Sequence, residues 1–437
     1  MPPPTYLLAF ALLQSVVSTQ ITRPVSVNSA GMLGNGDSTY VSVSATGRFV
    51  AFSSSASNLV LGDTNHTADV FVHDRDAGTT ERVSLTDFSG QIAFYDSTGP
   101  SISGDGRYVA FQCLSPNVAD STVIDTNGTW DLFVRDRLLG TTTCISEVSG
   151  HTYNNTSAAV VLAADGRFAA FQSYATDIVP GNPLDVTQVY VRNLATGVTV
   201  RVSESPAGEP GNSFSVAPSI SAHGRHVAFL SSATNLLPAS GSMGNAYLRD
   251  LAAGTLELVD VNSAGVAGNG SGGIPSVSAA GRYVVFPSES SDLAADDTNG
   301  VQDVFLRDRL AGTTVRVSLG STGEQADGPS GEPSVSANGL RIVFSSTATN
   351  LVQGDLNAAR DVFVRNLVLG TTERVSVSTS GVEANDTSGL FGPALSANGC
   401  IAVFSSTATN LVPSDTNGAR DVFRRNICGV HPPAGAQ

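Results

Sequence analysis

The stretch "GDTNHTADVFVHDRDAGTTERVS" (Gly62–Ser84) returns almost intact as "DDTNGVQDVFLRDRLAGTTVRVS" (Asp296–Ser318) and as "GDLNAARDVFVRNLVLGTTERVS" (Gly354–Ser376). Each copy reads as an acidic loop, a strand, a turn and a second strand. Just upstream of the first copy lies "TGRFVAF" (Thr46–Phe52), whose glycine recurs at Gly47, Gly106, Gly166, Gly224, Gly281, Gly339 and Gly399, 57–60 residues apart. Repetition at a nearly fixed period means one supersecondary unit stacked on itself, each copy burying a face that it cannot bury alone.

Within a copy the pattern is four short strands. In the first they are "TYVSVSA" (Thr39–Ala45), "RFVAFSSS" (Arg48–Ser55), "DVFVHDR" (Asp69–Arg75) and "TTERVSL" (Thr79–Leu85). Alternating Val, Phe and Thr bounded by Gly, Asp and Asn is a strand signal, and no stretch has a helical period. Seven four-stranded units predict an all-β chain closed as a seven-bladed β-propeller of antiparallel blades. The ends agree with closure. The seventh copy stops after "DVFRRNI" (Asp421–Ile427), without its fourth strand, while "ITRPVSVNSAG" (Ile21–Gly31) matches "TERVSVSTSG" (Thr372–Gly381). The N-terminal strand is therefore expected to complete the last blade and leave no open edge.

The repeated pattern S-x-D-G-R-y-v-a-F followed by D-v-F-v-R-D-r-x-x-G-t-t resembles the WD40-like repeat of TolB-type propellers, over about Ile21 to Cys428. That resemblance implies the propeller fold. TolB itself has six blades and an α/β domain in front, so its envelope partners are not carried over. Related propellers precede prolyl-peptidase hydrolase domains or act as pectin-fragment lyases, and a hydrolase domain is not expected within these residues.

The chain has 437 residues and a net charge of −15, with 23 Lys plus Arg against 38 Asp plus Glu. Such a balance argues against nucleic-acid partners and against an anionic membrane surface. "YLLAFALL" (Tyr6–Leu13) followed by "SVVS" (Ser15–Ser18) reads as a secretory signal, although no Lys or Arg precedes the apolar run. The expected organisation is a signal peptide at 1–18, the propeller at 19–430 and a short tail at 431–437. No stretch is long enough for a membrane span. A secreted or periplasmic monomer is expected.

In a propeller the A–B and C–D turns share one face and the B–C and D–A loops share the other. Here the second set is the long, polar and acidic one, so the candidate functional surface is the loop face around the channel mouth. Five B–C loops keep D-x-N-x-x-x-D: Asp63, Asn65, Asp69; Asp125, Asn127, Asp131; Asp297, Asn299, Asp303; Asp355, Asn357, Asp361; Asp415, Asn417, Asp421. Oxygen ligands at alternate positions suit Ca²⁺, the one candidate cofactor. Asp and Asn also build turns by bonding their own backbone, with no metal, and position 5 and a late acid depart from the EF-hand pattern. Both readings stand at this point.

Cys400 and Cys428 fall at facing ends of a hairpin and are expected to form a disulfide. Cys113 and Cys144 lie two strands apart, about 9.5 Å, and are expected to stay reduced and buried. Arginines repeated blade by blade, such as Arg107 and Arg282, are expected to pair with repeated aspartates such as Asp136 and Asp308. No His pair has metal-ligand spacing, and no nucleophile motif appears. The ligand candidates are the loop aromatics Trp130, Tyr153, Phe94, Tyr95, Phe214 and Phe391. The reading is a non-catalytic propeller that binds or scaffolds, presenting an acidic loop face to an extracellular or periplasmic protein, peptide or glycan, with calcium as a candidate stabiliser. The alternative is an extracellular polysaccharide lyase with its site at the channel mouth.

Overall fold

The computed structural model describes residues 20–86, 90–92, 95–115, 123–181, 186–238, 244–413 and 415–429. The expected leader and tail lie outside the described residues. Seven four-stranded antiparallel sheets follow one another along the chain, each in the order A-B-C-D. In the first, A is Ser38–Val43, B Phe49–Ser54, C Asp69–Asp74 and D Thr79–Arg82. The A strands of neighbouring sheets touch all the way round, so they line the axis and the D strands form the rim. This is the seven-bladed propeller expected from the repeat.

Closure is made by the N-terminus. Thr22–Pro24 pairs antiparallel with Asp421–Asn426, placing Thr22 opposite Arg425, Arg23 opposite Arg424 and Pro24 opposite Phe423. The Val25 N–H continues the ladder by donating to Val422 O at 2.7 Å. In the same blade Cys400 and Cys428 are joined by a disulfide. Cys113 and Cys144 are free thiols in the core, and burial pushes the Cys144 thiol up to about 12.

The core is built from one motif. Strands B and C pair over six residues, and at one position two aromatics stand directly opposite each other: Phe52 and Phe71 in blade 1, Phe111 and Phe133 in blade 2. Equivalent pairs stack in all seven blades with ring centroids 5.6–6.1 Å apart, within the range that offset aromatic pairs prefer. Phe52, Phe71 and Phe111 are fully buried. These rings give each blade its thickness and the next blade an apolar wall.

The Gly-Arg landmark has two causes. Gly106 has φ +79°, and a Cβ there would collide with the ring of Phe49 in the preceding blade; Gly166 stands in the same relation to Tyr108. The arginine after it reaches the end of strand C: Arg107–Asp136 is 2.6 Å and Arg282–Asp308 is 2.6 Å, as expected from the repeats. These guanidiniums hold the Asp136 and Asp308 carboxyls below their ordinary range.

Two features were not legible in the repeat. A small hairpin, Glu147–Val148 with His151–Thr152, fills the loop between blades 2 and 3. The A strands carry bulges, with Tyr40, Ala159, Ala217 and Glu332 left-handed at φ 45–52°. Bulges re-aim side chains, here on strands that face the channel.

The turn glycine carries a direct test. Gly106→Ala combines a left-handed φ with a clash against Phe49, so a loss of at least 2 kcal/mol is expected in urea unfolding. Gly78→Ala, at φ +67° but with open space around it, isolates the backbone part and should cost only about 1 kcal/mol.

Candidate functional site

The five acidic loops share one architecture, set by the residue that opens strand C. Asp69 Oδ1 accepts from Ser84 Oγ at 2.6 Å, and the same hydroxyl accepts from the Val70 N–H at 3.0 Å. Asn65 Nδ2 donates to Asp69 Oδ2 at 3.1 Å and to Ile92 O at 2.9 Å, tying the loop to the segment that leads into the next blade. Asn299, Asn357 and Asn417 repeat both bonds, with Ala326 O, Ala384 O and Gly34 O as the second acceptors. The Asn side chain thus crosslinks two loops, and its oxygen serves a backbone N–H, as at Ala359 and Ala419.

A guanidinium occupies the place between the two aspartates in three blades. Arg82 lies 3.4 Å from Asp63 and 3.3 Å from Asp69. Arg316 lies 3.4 Å from Asp297 and 3.3 Å from Asp303. Arg374 meets Asp355 at 3.3 Å, Asp361 at 3.1 Å and Glu383 at 2.6 Å. All three arginines come from the same register position of strand D, opposite the strand C aromatic. Among the described residues no group of three or more His, Cys, Asp or Glu side chains is arranged to hold a metal. In blades 1, 5 and 6 a permanent side-chain cation thus sits between the carboxylates that the calcium reading offered as ligands.

Blades 2 and 7 differ. Cys144 and Pro24 stand where the arginine would be. Burial, aided by Asp125, raises the Asp131 carboxyl to about 7; burial, aided by Asp415 and Asp37, raises Asp421 to about 6. Asp415 is 7% exposed and its Oδ1 has no hydrogen-bond partner among the described residues.

The ligand candidates do not form one group. Tyr153 is 1% exposed and stacks on Phe171 at 6.3 Å, so it is a core residue and not a ligand contact. It lies in the buried cluster that also holds Tyr190, with Val148 of the small hairpin packed against that cluster. Trp130 is half-buried, Tyr95 and Phe214 are exposed, and Phe94 lies outside the described residues. Phe391 alone joins a cluster. Its ring is 4.9 Å from that of Tyr40, and the Arg420 guanidinium lies 5.2 Å from its centroid. Tyr40 sits at the bulge of strand A in blade 1, Phe391 in the segment before Ala394–Leu395, and Arg420 just before strand C of blade 7. Beside them Arg360 pairs with Glu332 at 2.8 Å, and Gly392 abuts the Cβ of Glu332. Aromatic faces and guanidiniums thus converge at the channel mouth across blades 6, 7 and 1. Sequence reading missed Tyr40, Arg360, Arg420 and Glu332. The available signal was departure from the repeat, since blade 7 carries two extra residues between Ser388 and Ala394–Leu395 compared with Ser38 and Ser42–Val43 of blade 1.

No protein-family model matches the sequence, and no curated protein matches it. Solved structures do. An oligogalacturonate lyase in complex with manganese aligns with 93% of this chain and 90% of its own, at 11% identity and a TM-score of 0.52. The β-propeller domain of the Trilobed protease from Pyrococcus furiosus aligns with 89% of this chain and 94% of its own, at 11% identity and a TM-score of 0.52. TolB from Acinetobacter baumannii aligns with 87% and 81%, at 14% identity and a TM-score of 0.40. At these identities the likeness is one of fold: the chain is a seven-bladed β-propeller. No helix among the described residues is long and apolar enough to cross a membrane.

Three outcomes follow from this chemistry. Thermal midpoints in EDTA and in millimolar Ca²⁺ are expected to coincide, because three loops carry their own cation and each remaining pair offers too few oxygens for a Ca²⁺ shell. Arg374→Ala leaves three carboxylates facing one another and should cost about 3–5 kcal/mol in chemical unfolding. The raised carboxyls of Asp131 and Asp421 bind protons more tightly folded than unfolded. Their contribution is therefore largest below about pH 4 and is lost as pH rises through 6–7. Asp131→Asn should flatten the fall in unfolding free energy between pH 5 and pH 7.5, whereas an unchanged slope would remove Asp131 as its source.

Proposed function

We propose that this chain is a secreted, non-catalytic binding propeller that takes a protein, peptide or glycan ligand at its loop face. The observation that carries the reading is the Tyr40–Phe391–Arg420 cluster with Arg360 and Glu332 beside it. Aromatic rings that are part-exposed offer flat apolar faces to sugar rings or peptide side chains. Guanidiniums offer forked donors to carboxylates. A chain of net charge −15 repels anions at long range, so an acidic ligand would be held by these local contacts and not by the overall field. The repeated ionic groups support the non-catalytic part of the reading, because they are engaged with one another: Arg107 with Asp136, Arg316 with Asp303, Ser84 with Asp69. Secretion rests on the leader-like segment at 1–18 and on the disulfide, which suits an oxidising compartment. Calcium is left out of this reading.

The lyase alternative draws on the fold likeness to an oligogalacturonate lyase, and fold alone does not carry chemistry. The manganese named for that structure has no counterpart group of His, Cys, Asp or Glu among the described residues here.

The experiment is a glycan and peptide array probed with the full chain, followed by titration of the best ligand. Tyr40→Ala and Arg420→Ala should each weaken binding by at least tenfold while leaving the thermal midpoint within about a degree. Equal affinity in both variants would move the site elsewhere on the ring. Release of unsaturated products from an acidic polysaccharide would replace binding by lyase activity.

A further inference from the structure

One interblade seam departs from all the others in charge. Each seam is built from three register positions: the fourth residue of strand C, its partner in strand D, and the residue after strand C in the next blade. The first of these is Val72, Val134, Val191, Leu248, Leu306 or Val364 in six blades, apolar and buried. In two of those seams the other positions form an ion pair. Arg137 of blade 2 meets Glu81 of blade 1 at 2.5 Å and lies 4.6 Å over the Phe49 ring; Arg309 meets Glu257 in the same way. At the remaining seams the residue after strand C is apolar instead, as with Leu251, which lines one cleft with Val200.

At the seam where the ring closes, all three positions are arginine. Arg424 replaces the buried aliphatic residue, Arg23 stands directly opposite it where Glu81 stands in blade 1, and Arg75 follows strand C of blade 1. Arg424 is half-buried, Arg23 exposed, and the Arg75 side chain 23% exposed. Burial together with Arg75 and Arg23 pushes the Arg424 guanidinium down to about 10. Among the described residues neither Arg23 nor Arg424 has a carboxylate within ion-pair distance. The acid that acts on Arg424 is Asp76, an exposed side chain already shared by Arg75 at 3.1 Å and Arg48 at 3.7 Å. Burial and Arg424 push the His73 imidazole below its ordinary range. Three like charges with one partly desolvated are costly to bring together, and an anion seated among them would relieve the repulsion. Two other seams of this molecule show what kind: an oxyanion at the Glu81 position, received by the guanidinium of the next blade.

We infer that the closing seam of Arg23, Arg75 and Arg424 is an oxyanion-binding site for a sulfate or phosphate group, free or carried on a larger ligand. The site is separate from the channel-mouth cluster, since Arg75 lies on the short-turn face. Its charge suits a multiply charged tetrahedral anion better than one carboxylate, and the exposed Arg23 leaves it accessible.

The test is thermal unfolding of the full chain in sodium sulfate against sodium chloride at matched ionic strength. The wild type should show a saturating rise of a few degrees at low millimolar sulfate, whereas general exclusion of sulfate from protein surfaces gives a rise that does not saturate. Arg23→Glu supplies the carboxylate of the Glu81–Arg137 seam, so its midpoint in chloride should exceed that of the wild type and the saturating response should vanish. Arg424→Val restores the residue type of the other seams and should also abolish the response while folding normally. A saturating response that survives in both variants, or none in the wild type, would overturn the site. Calorimetric titration with inorganic sulfate and with a sulfated polysaccharide separates the sources. Binding at least tenfold tighter per sulfate group to the polysaccharide means a carried group, and equal affinity means a free anion.

Discussion

The structure depends on the pair of aromatic rings that face each other between strands B and C of every blade. A single blade exposes apolar faces that it cannot bury without its neighbours. Stacked rings such as Phe229 and Tyr247, 5.6 Å apart, make each sheet thick enough to fill the space to its neighbour. Truncating one such ring would leave a cavity costing about 3–5 kcal/mol, a large part of a typical net stability. The turn glycines follow from the same demand, because the preceding blade's strand B residue presses directly on the turn. So does the closure by Thr22–Pro24, which gives the last sheet its rim strand and removes an unpaired edge.

Charge is placed around that apolar ring in complementary sets. The Arg-Asp pairs on the short-turn face hold strand B to strand C within a blade. The C-strand arginines reach back across the seam, as Arg307 does to Asn262 O at 3.1 Å and Arg365 to Gly320 O at 3.1 Å. On the loop face, aspartates that would repel one another surround Arg82, Arg316 and Arg374. Metal-like spacing arises here because a guanidinium and a hard cation pose the same problem to a loop, namely converging carboxylate oxygens on one positive centre. Burial raises the strand-opening carboxyl in all of these loops; the arginine offsets part of that at Asp69, Asp303 and Asp361, whereas at Asp131 a second carboxylate adds to it.

Departures from the repeat are where specific chemistry is found. A residue that recurs in every blade answers a packing need common to all blades. Tyr40, Phe391 and Arg420 do not recur as a set, and neither do three arginines at one seam. Both groups straddle the junction of blades 7 and 1, the two ends of the chain. That junction escapes the symmetry because its two halves are contributed by segments hundreds of residues apart.

The sequence by itself determined the number of blades, the strand order within a blade and the closing strand. These depend on period-two patterning and on repetition, which are local properties that any copy displays. It also held the pairing of Arg107 with Asp136, since blade-wide recurrence marks partners. Tertiary structure alone decided the rest. That Arg374 lies between Asp355 and Asp361 depends on a strand D residue facing its own blade's B–C loop, a relation across 13 residues that no motif spacing states. That Tyr153 is buried depends on its packing with Phe171 and Tyr190, which lie on other strands. That Arg23 meets Arg424 depends on ring closure, which brings together residues with nearly the whole chain between them.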